Sequence, residues 1–116
     1  MSGNKALVSF ADFEKLDIRV GTITSARVNE KARKPAYVLE VDFGSDIGTK
    51  STSAQITEGH SLDELQGMQV IAVMNFPPKK IADVVSEVLV LGVVQPDRPT
   101  ILLTPSKPVG NGSPIL

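Results

Sequence analysis

The sequence predicts an all-β chain, a five-stranded Greek-key barrel with one short helix between its third and fourth strands and a helical turn ahead of the first. Three observations predict it. Five or six short apolar or alternating runs fill most of the 116 residues. None of them alternates with a long helical stretch, which disfavours a parallel α/β architecture. Gly21 breaks the alternation of the first run, as happens where a strand curls round a barrel. A small sandwich of the same strands has the same periods and lengths, and stays open as a competitor.

Taken in order, residues 1–8 read as an arm that is mobile or docked on a partner. Ser9 or Asp12 caps a helical turn from Phe10 to Leu16, and Phe10, Phe13 and Leu16 share one face of it. That face reads as a plug over one end of the sheet. Ile18 to Val28 is the first strand, with a bulge expected at Gly21. Asn29 to Pro35 is a polar loop holding Lys31, Arg33 and Lys34, and Arg27 lies just before it. Ala36 to Phe43 is the second strand, with Leu39, Val41 and Phe43 inward. Gly44 to Gly48 is a turn. Thr49 to Ile56, rich in Ser and Thr, is a third strand with one solvated face.

His60 to Gly67 is the short helix. Ser61 and Glu64 have capping-box spacing, and Gly67 is a natural stop. His60 is expected on the surface before it. Met68 to Asn75 is the fourth strand, apolar from Val70 to Met74 as a strand buried on both sides would be. Pro77 and Pro78 end that run, because neither can donate a ladder hydrogen bond. Lys79 and Lys80 then make a rigid basic loop. Val84 to Val94 is the fifth strand. Asp97-Arg98-Pro99 turns the chain into a short sixth strand, Thr100 to Leu103. Pro105 to Leu116 is extended and irregular.

Twelve basic and thirteen acidic residues leave a net charge of −1, which disfavours a generic polyanion binder. Any phosphate contact must come from a local patch. With no Trp, one Tyr and four Phe, base stacking has few candidates. A hydrophobic content of 41% fits neither disorder nor a membrane class. No membrane insertion and no signal peptide are expected. The absence of Cys excludes disulfides and fits a cytoplasmic protein. One histidine excludes a multi-histidine metal site. No nucleophile motif and no glycine loop before a long helix are present. No catalytic residue, metal or cofactor is therefore expected, and residues 1–116 read as one domain. With no linker-like stretch, the chain is expected to stand alone and not as a dimerisation module of other proteins.

Two basic clusters remain, one of Arg27, Lys31, Arg33 and Lys34 and one of Lys79 and Lys80. The polar Asn75 and Ser86 stand at the mouths of the strands on either side of the second. Asn75-Phe76-Pro77-Pro78-Lys79-Lys80-Ile81, followed by Ser86-Glu87 and Val90-Leu91, resembles the tRNA-binding OB-fold family. That family includes C-terminal modules of methionyl-tRNA synthetases, their free-standing homologues and the CsaA-type secretion chaperones. Asp12-Phe13-Glu14-Lys15-Leu16-Asp17-Ile18-Arg19-Val20-Gly21 resembles its opening motif. Ser53-Ala54-Gln55-Ile56, Asp42-Phe43-Gly44 with Ile47-Gly48, and the Asn-Phe-Pro-Pro spelling are similar to the CsaA branch.

The resemblance implies an OB-fold with its helix between the third and fourth strands. The first-strand loop and the fourth-to-fifth connection then flank the ligand face, which brings the two basic clusters together. It implies a cytoplasmic homodimer built partly from residues 1–8 and 105–116, and an export-related chaperone that holds unfolded precursor polypeptides without ATP. The expected peptide rim is Phe76, Ile81, Val84 and Val85, each equally readable as core. The alternative is a structure-specific tRNA-binding protein that uses Arg33, Lys34, Lys79 and Lys80, with Asn75 and Ser86 bonding phosphate, ribose or base or else capping strand ends. Stronger tRNA binders of the family are more basic and often carry a lysine near Ala36-Tyr37, where this chain has none.

Overall fold

Strand β1 (Ile18–Val28) is the axis of the architecture, and it has the predicted limits. It pairs antiparallel with β2 (Tyr37–Asp42) along its second half and with β4 (Gln69–Val73) along its first. β3 (Thr49–Ala54) pairs with β2, and the two-residue β7 (Leu89–Val90) pairs with β4. The sheet order is therefore β3-β2-β1-β4-β7. Its two edges meet where Glu87 N–H donates to Ser51 O at 2.8 Å and Thr52 Oγ1 donates to Val88 O at 2.8 Å. The result is a nearly closed five-stranded antiparallel barrel, an OB-fold. The computed structural model describes residues 4–116, so residues 1–3 of the expected arm lie outside the described residues.

The core fills the barrel. Ile23, Leu39, Val41, Phe43, Val70 and Ala72 are buried in one cluster with Leu65 and Leu102. Leu39, Val41 and Phe43 alternate inward as predicted, since successive side chains of a strand point to opposite faces. Ile18 and Val20 belong to the opposite phase and are buried too. The extended tail accounts for this, because it runs along β1 where β2 does not. Gly112 N–H donates to Val20 O, Val20 N–H to Ser113 O and Ile115 N–H to Ile18 O.

Helix α1 (Phe10–Glu14) is capped by Ser9, whose side chain forms a reciprocal box with Asp12. It buries no residue and does not plug the sheet; Phe10 and Phe13 stack on each other at 6.0 Å instead. Helix α2 (Leu62–Leu65) has the predicted Ser61–Glu64 box and buries Leu65 under the barrel.

Three further expectations change. The register slip in β1 falls between Ile23 and Ser25, not at Gly21, which pairs regularly with Val70. Gly21 is small for another reason: a Cβ there would stand 2.7 Å from the Phe43 ring and from Val41. The expected fifth strand is broken into β6 (Val84–Ser86), β7 and β8 (Gly92–Gln95), because Ser86 and Glu87 hook onto β3 and turn the chain. β8 pairs with β9 (Arg98–Leu102) as a hairpin whose turn is Pro96-Asp97, with Asp97 at φ 57°.

His60 is not on the surface. It is 8% exposed, and its Nε2 accepts Leu102 N–H at 3.2 Å, which ties β9 to the approach to α2. Its carbonyl accepts the Tyr37 hydroxyl at 3.1 Å. No helix of the described residues is long and apolar enough to cross a membrane.

Candidate functional site

The stretch read from sequence as a rigid basic loop is a β-hairpin. β5 (Lys79–Ile81) pairs with β6 through Lys79↔Ser86, Lys80↔Val85 and Ile81↔Val84. Ala82 turns it at φ 57°. The two prolines do end the β4 run, but Lys79 and Lys80 then adopt strand geometry and point to opposite faces. Lys79, Ile81, Val84 and Ser86 share the face turned to the barrel, and Lys80 and Val85 share the outer one.

Polar side chains fix the hairpin at three points. Thr52 Oγ1 gives its proton to Val88 O, so the 2.8 Å contact between Thr52 Oγ1 and Ser86 Oγ is donated by Ser86. Ser86 Oγ also accepts Ser53 N–H at 3.2 Å. From the other side, buried Asn29 donates through Nδ2 to Ser53 Oγ at 3.1 Å and reaches Ile81 O at 3.5 Å. Lys31 Nζ lies 2.7 Å from Asp83 Oδ2, which joins the first loop to the hairpin turn. Upstream, Asn75 accepts Asp17 N–H at 2.9 Å and donates to Lys15 O at 2.7 Å. That pair pins the exit of β4 to the start of β1.

Two hollows result, one on each side of β5. The larger, about 600 Å³, lies between β3 and the chain from Phe76 to Val90. Phe76, Ile81, Val88, Leu89, Val94 and Leu102 give it apolar walls, and Lys79 and Glu87 also line it. Phe76 is 47% exposed and Val94 82%. Glu87 Oε1 is occupied, accepting Ser51 N–H at 2.9 Å.

The second hollow, about 480 Å³, brings together Lys31, Arg33, Lys34 and Lys80. The two basic clusters thus meet, but only through Lys80; Lys79 lines the apolar groove. Arg27 lines a third hollow with Asp83 and Val84. Among the described residues, Arg33, Lys34, Lys79 and Lys80 form no ion pair.

The four rim residues also divide. Phe76 and Ile81 line the groove. Val84 is buried beneath the hairpin, and Val85 is half exposed on its outer face. Three wall elements were not foreseen as site residues: Ser53 and Gln55, which line both hollows, and the β8–β9 hairpin with Val94 and Leu102. The Ser53-Ala54-Gln55-Ile56 spelling was the available signal for the first two. The hairpin left none, because its apolar residues read as core. No cluster of three or more His, Asp or Glu placed to hold a metal occurs among the described residues.

The family described as "Putative tRNA binding domain" matches residues 18–114. A methionine–tRNA ligase of Methanococcoides burtonii is 40% identical over 109 residues, 94% of this chain. The chain spans only 16% of that ligase's length. The crystal structure of chaperone CsaA of Bacillus anthracis superposes with a TM-score of 0.90 at 47% identity, covering 96% of this chain and all of that one. The CsaA chaperone protein of Picrophilus torridus gives 0.88 at 47% identity, over 95% of this chain and all of that one.

Proposed function

Because the chain belongs to the tRNA-binding-domain family, in the form its CsaA-type neighbours share, we propose that it is a non-catalytic binding protein that holds non-native polypeptide segments in the apolar groove without ATP. The observation that carries this reading is the groove itself. Its lining is more apolar than polar, with Thr52, Ser53 and Gln55 on the β3 side, and it leaves large side chains such as Phe76, Leu89 and Val94 exposed to water. Leaving such surface exposed forgoes roughly 25 cal/mol per Å² of burial, which a bound apolar segment recovers. Two chaperone structures alike over nearly the whole chain support it. The clients we propose are precursors bound for export, met in the cytoplasm by a homodimer.

The test is light scattering of a chemically denatured client diluted into buffer without nucleotide. Stoichiometric protein suppresses the scattering, and Phe76→Asp with Leu89→Asp abolishes the effect at unchanged fold. No suppression by the unaltered protein overturns the reading.

A second reading has its own observation. Arg33, Lys34 and Lys80 converge on one hollow with no carboxylate paired to them among the described residues, and the family is named for tRNA binding. Each phosphate contact contributes about 0.9 to the slope of log affinity against log salt for duplex nucleic acid. Arg33→Ala with Lys80→Ala should flatten that slope for tRNA, and Lys79→Ala, on the other face of β5, should change it less. In both readings Asn75 braces the exit of β4 against the start of β1 and Ser86 holds the hairpin to β3, since both have polar atoms engaged within the chain.

A further inference from the structure

We infer that the polypeptide this surface takes is an extended segment pairing an apolar anchor with an adjacent acidic side chain. The inference rests on the polypeptide reading above and deepens it by naming the client's chemistry.

The two hollows are one continuous surface. Ser53, Gln55 and Ile81 line both, so nothing but the width of β5 separates the apolar groove from the basic hollow. An extended chain advances about 3.3 Å per residue and throws alternate side chains to opposite sides, so a few residues crossing Ile81 reach both. On the groove side the ligand meets mainly hydrocarbon, with Lys79 at its edge, and the carboxylate there, Glu87, accepts Ser51 N–H. On the other side it meets Arg33, Lys34 and Lys80, which have no ion-pair partner among the described residues, while Lys31 is tied to Asp83. No Asp or Glu lines that hollow. In a chain of net charge −1, this local excess of unpaired cations favours a negative group and repels a positive one. An apolar segment flanked by lysines would fill the groove but set its charges against Lys80 and Arg33.

Three short fluorescent peptides with one shared apolar sequence test this, differing only in two flanking residues: Glu, Gln or Lys. Anisotropy at about 50 mM salt should rank Glu tightest and Lys weakest, with about tenfold between them, and the gap should shrink at about 300 mM as the charges are screened. Arg33→Glu with Lys80→Glu, both at exposed positions, should reverse the order. Equal affinities, or a preference for the Lys peptide, overturn the inference and leave polypeptide binding standing. No peptide bound at either salt overturns the polypeptide reading itself. A labelled RNA hairpin, run beside them, overturns the inference if it binds while all three peptides are refused, since the cations then serve phosphates.

Discussion

At His60, one hydrogen bond decides the tautomer. Nε2 accepts Leu102 N–H, so the neutral ring carries its hydrogen on Nδ1, which finds no hydrogen-bond partner and lies 3.7 Å from Glu64 Oε2. Replacing His60 with Ala strands a buried backbone donor, and an unsatisfied group of that kind costs about 1–3 kcal/mol. Urea unfolding should show a loss in that range, and a loss close to zero would mean that water takes over the donor. Gly21 is required for space and not for a bulge. Since a Cβ would meet the Phe43 ring at 2.7 Å, Gly21→Ala should destabilise the barrel by about 1–3 kcal/mol, the cost of overpacking. Phe43→Leu in the same chain should recover part of it. Neither role was legible from sequence. Each depends on a partner more than twenty residues away, and the sequence offers only a lone histidine before a helix and a glycine at a change of phase.

Among the elements, the strands with alternating residues were legible and the hairpin was not. β1 and β2 were read to within a residue, because Leu39, Val41 and Phe43 repeat the period of a half-buried strand. β5 is three residues long and two of them are lysines, so it carries no such signal. Its register is set by distant groups, Asn29 and Ser53, and by the Ala82 turn. That is why the basic clusters were correctly expected to meet while the split between Lys79 and Lys80 went unseen. The tail shows the same limit. Read as irregular, it is fixed by Gln69, whose amide both accepts Val109 N–H at 3.0 Å and donates to Val109 O at 2.8 Å, and by Arg19, which donates to Gly112 O at 2.9 Å. It covers Ile18 and Val20. Deleting residues 109–116 should therefore cost about 2–5 kcal/mol, from uncovering two branched side chains. It should also turn the Val20 amide from slow to fast hydrogen exchange. Slow exchange in the truncated chain would show that β1 is protected without the tail.

On the scale of the whole molecule, balanced composition conceals an uneven surface. Cations gather at one hollow, and among the apolar side chains left in water two groups stand out. One is the groove. The other is the N-terminal segment, where Leu7 and Val8 are largely bare and Phe10 is 69% exposed on a helix that buries nothing. In the homodimer we propose, a copy of the same chain would cover such a surface through a two-fold axis. The expected consequence is a mass that depends on concentration. Sedimentation equilibrium should give twice the chain mass at micromolar protein. Phe10→Asp with Leu7→Asp should weaken association by at least about a hundredfold, since each large side chain contributes about 1.5–3 kcal/mol when fully buried. The same substitutions should change the unfolding free energy of the monomer little, because Leu7 is bare and Phe10 is mostly exposed beside Phe13. An unaltered protein that stays at the single-chain mass throughout would overturn the homodimer and leave those residues free for another partner.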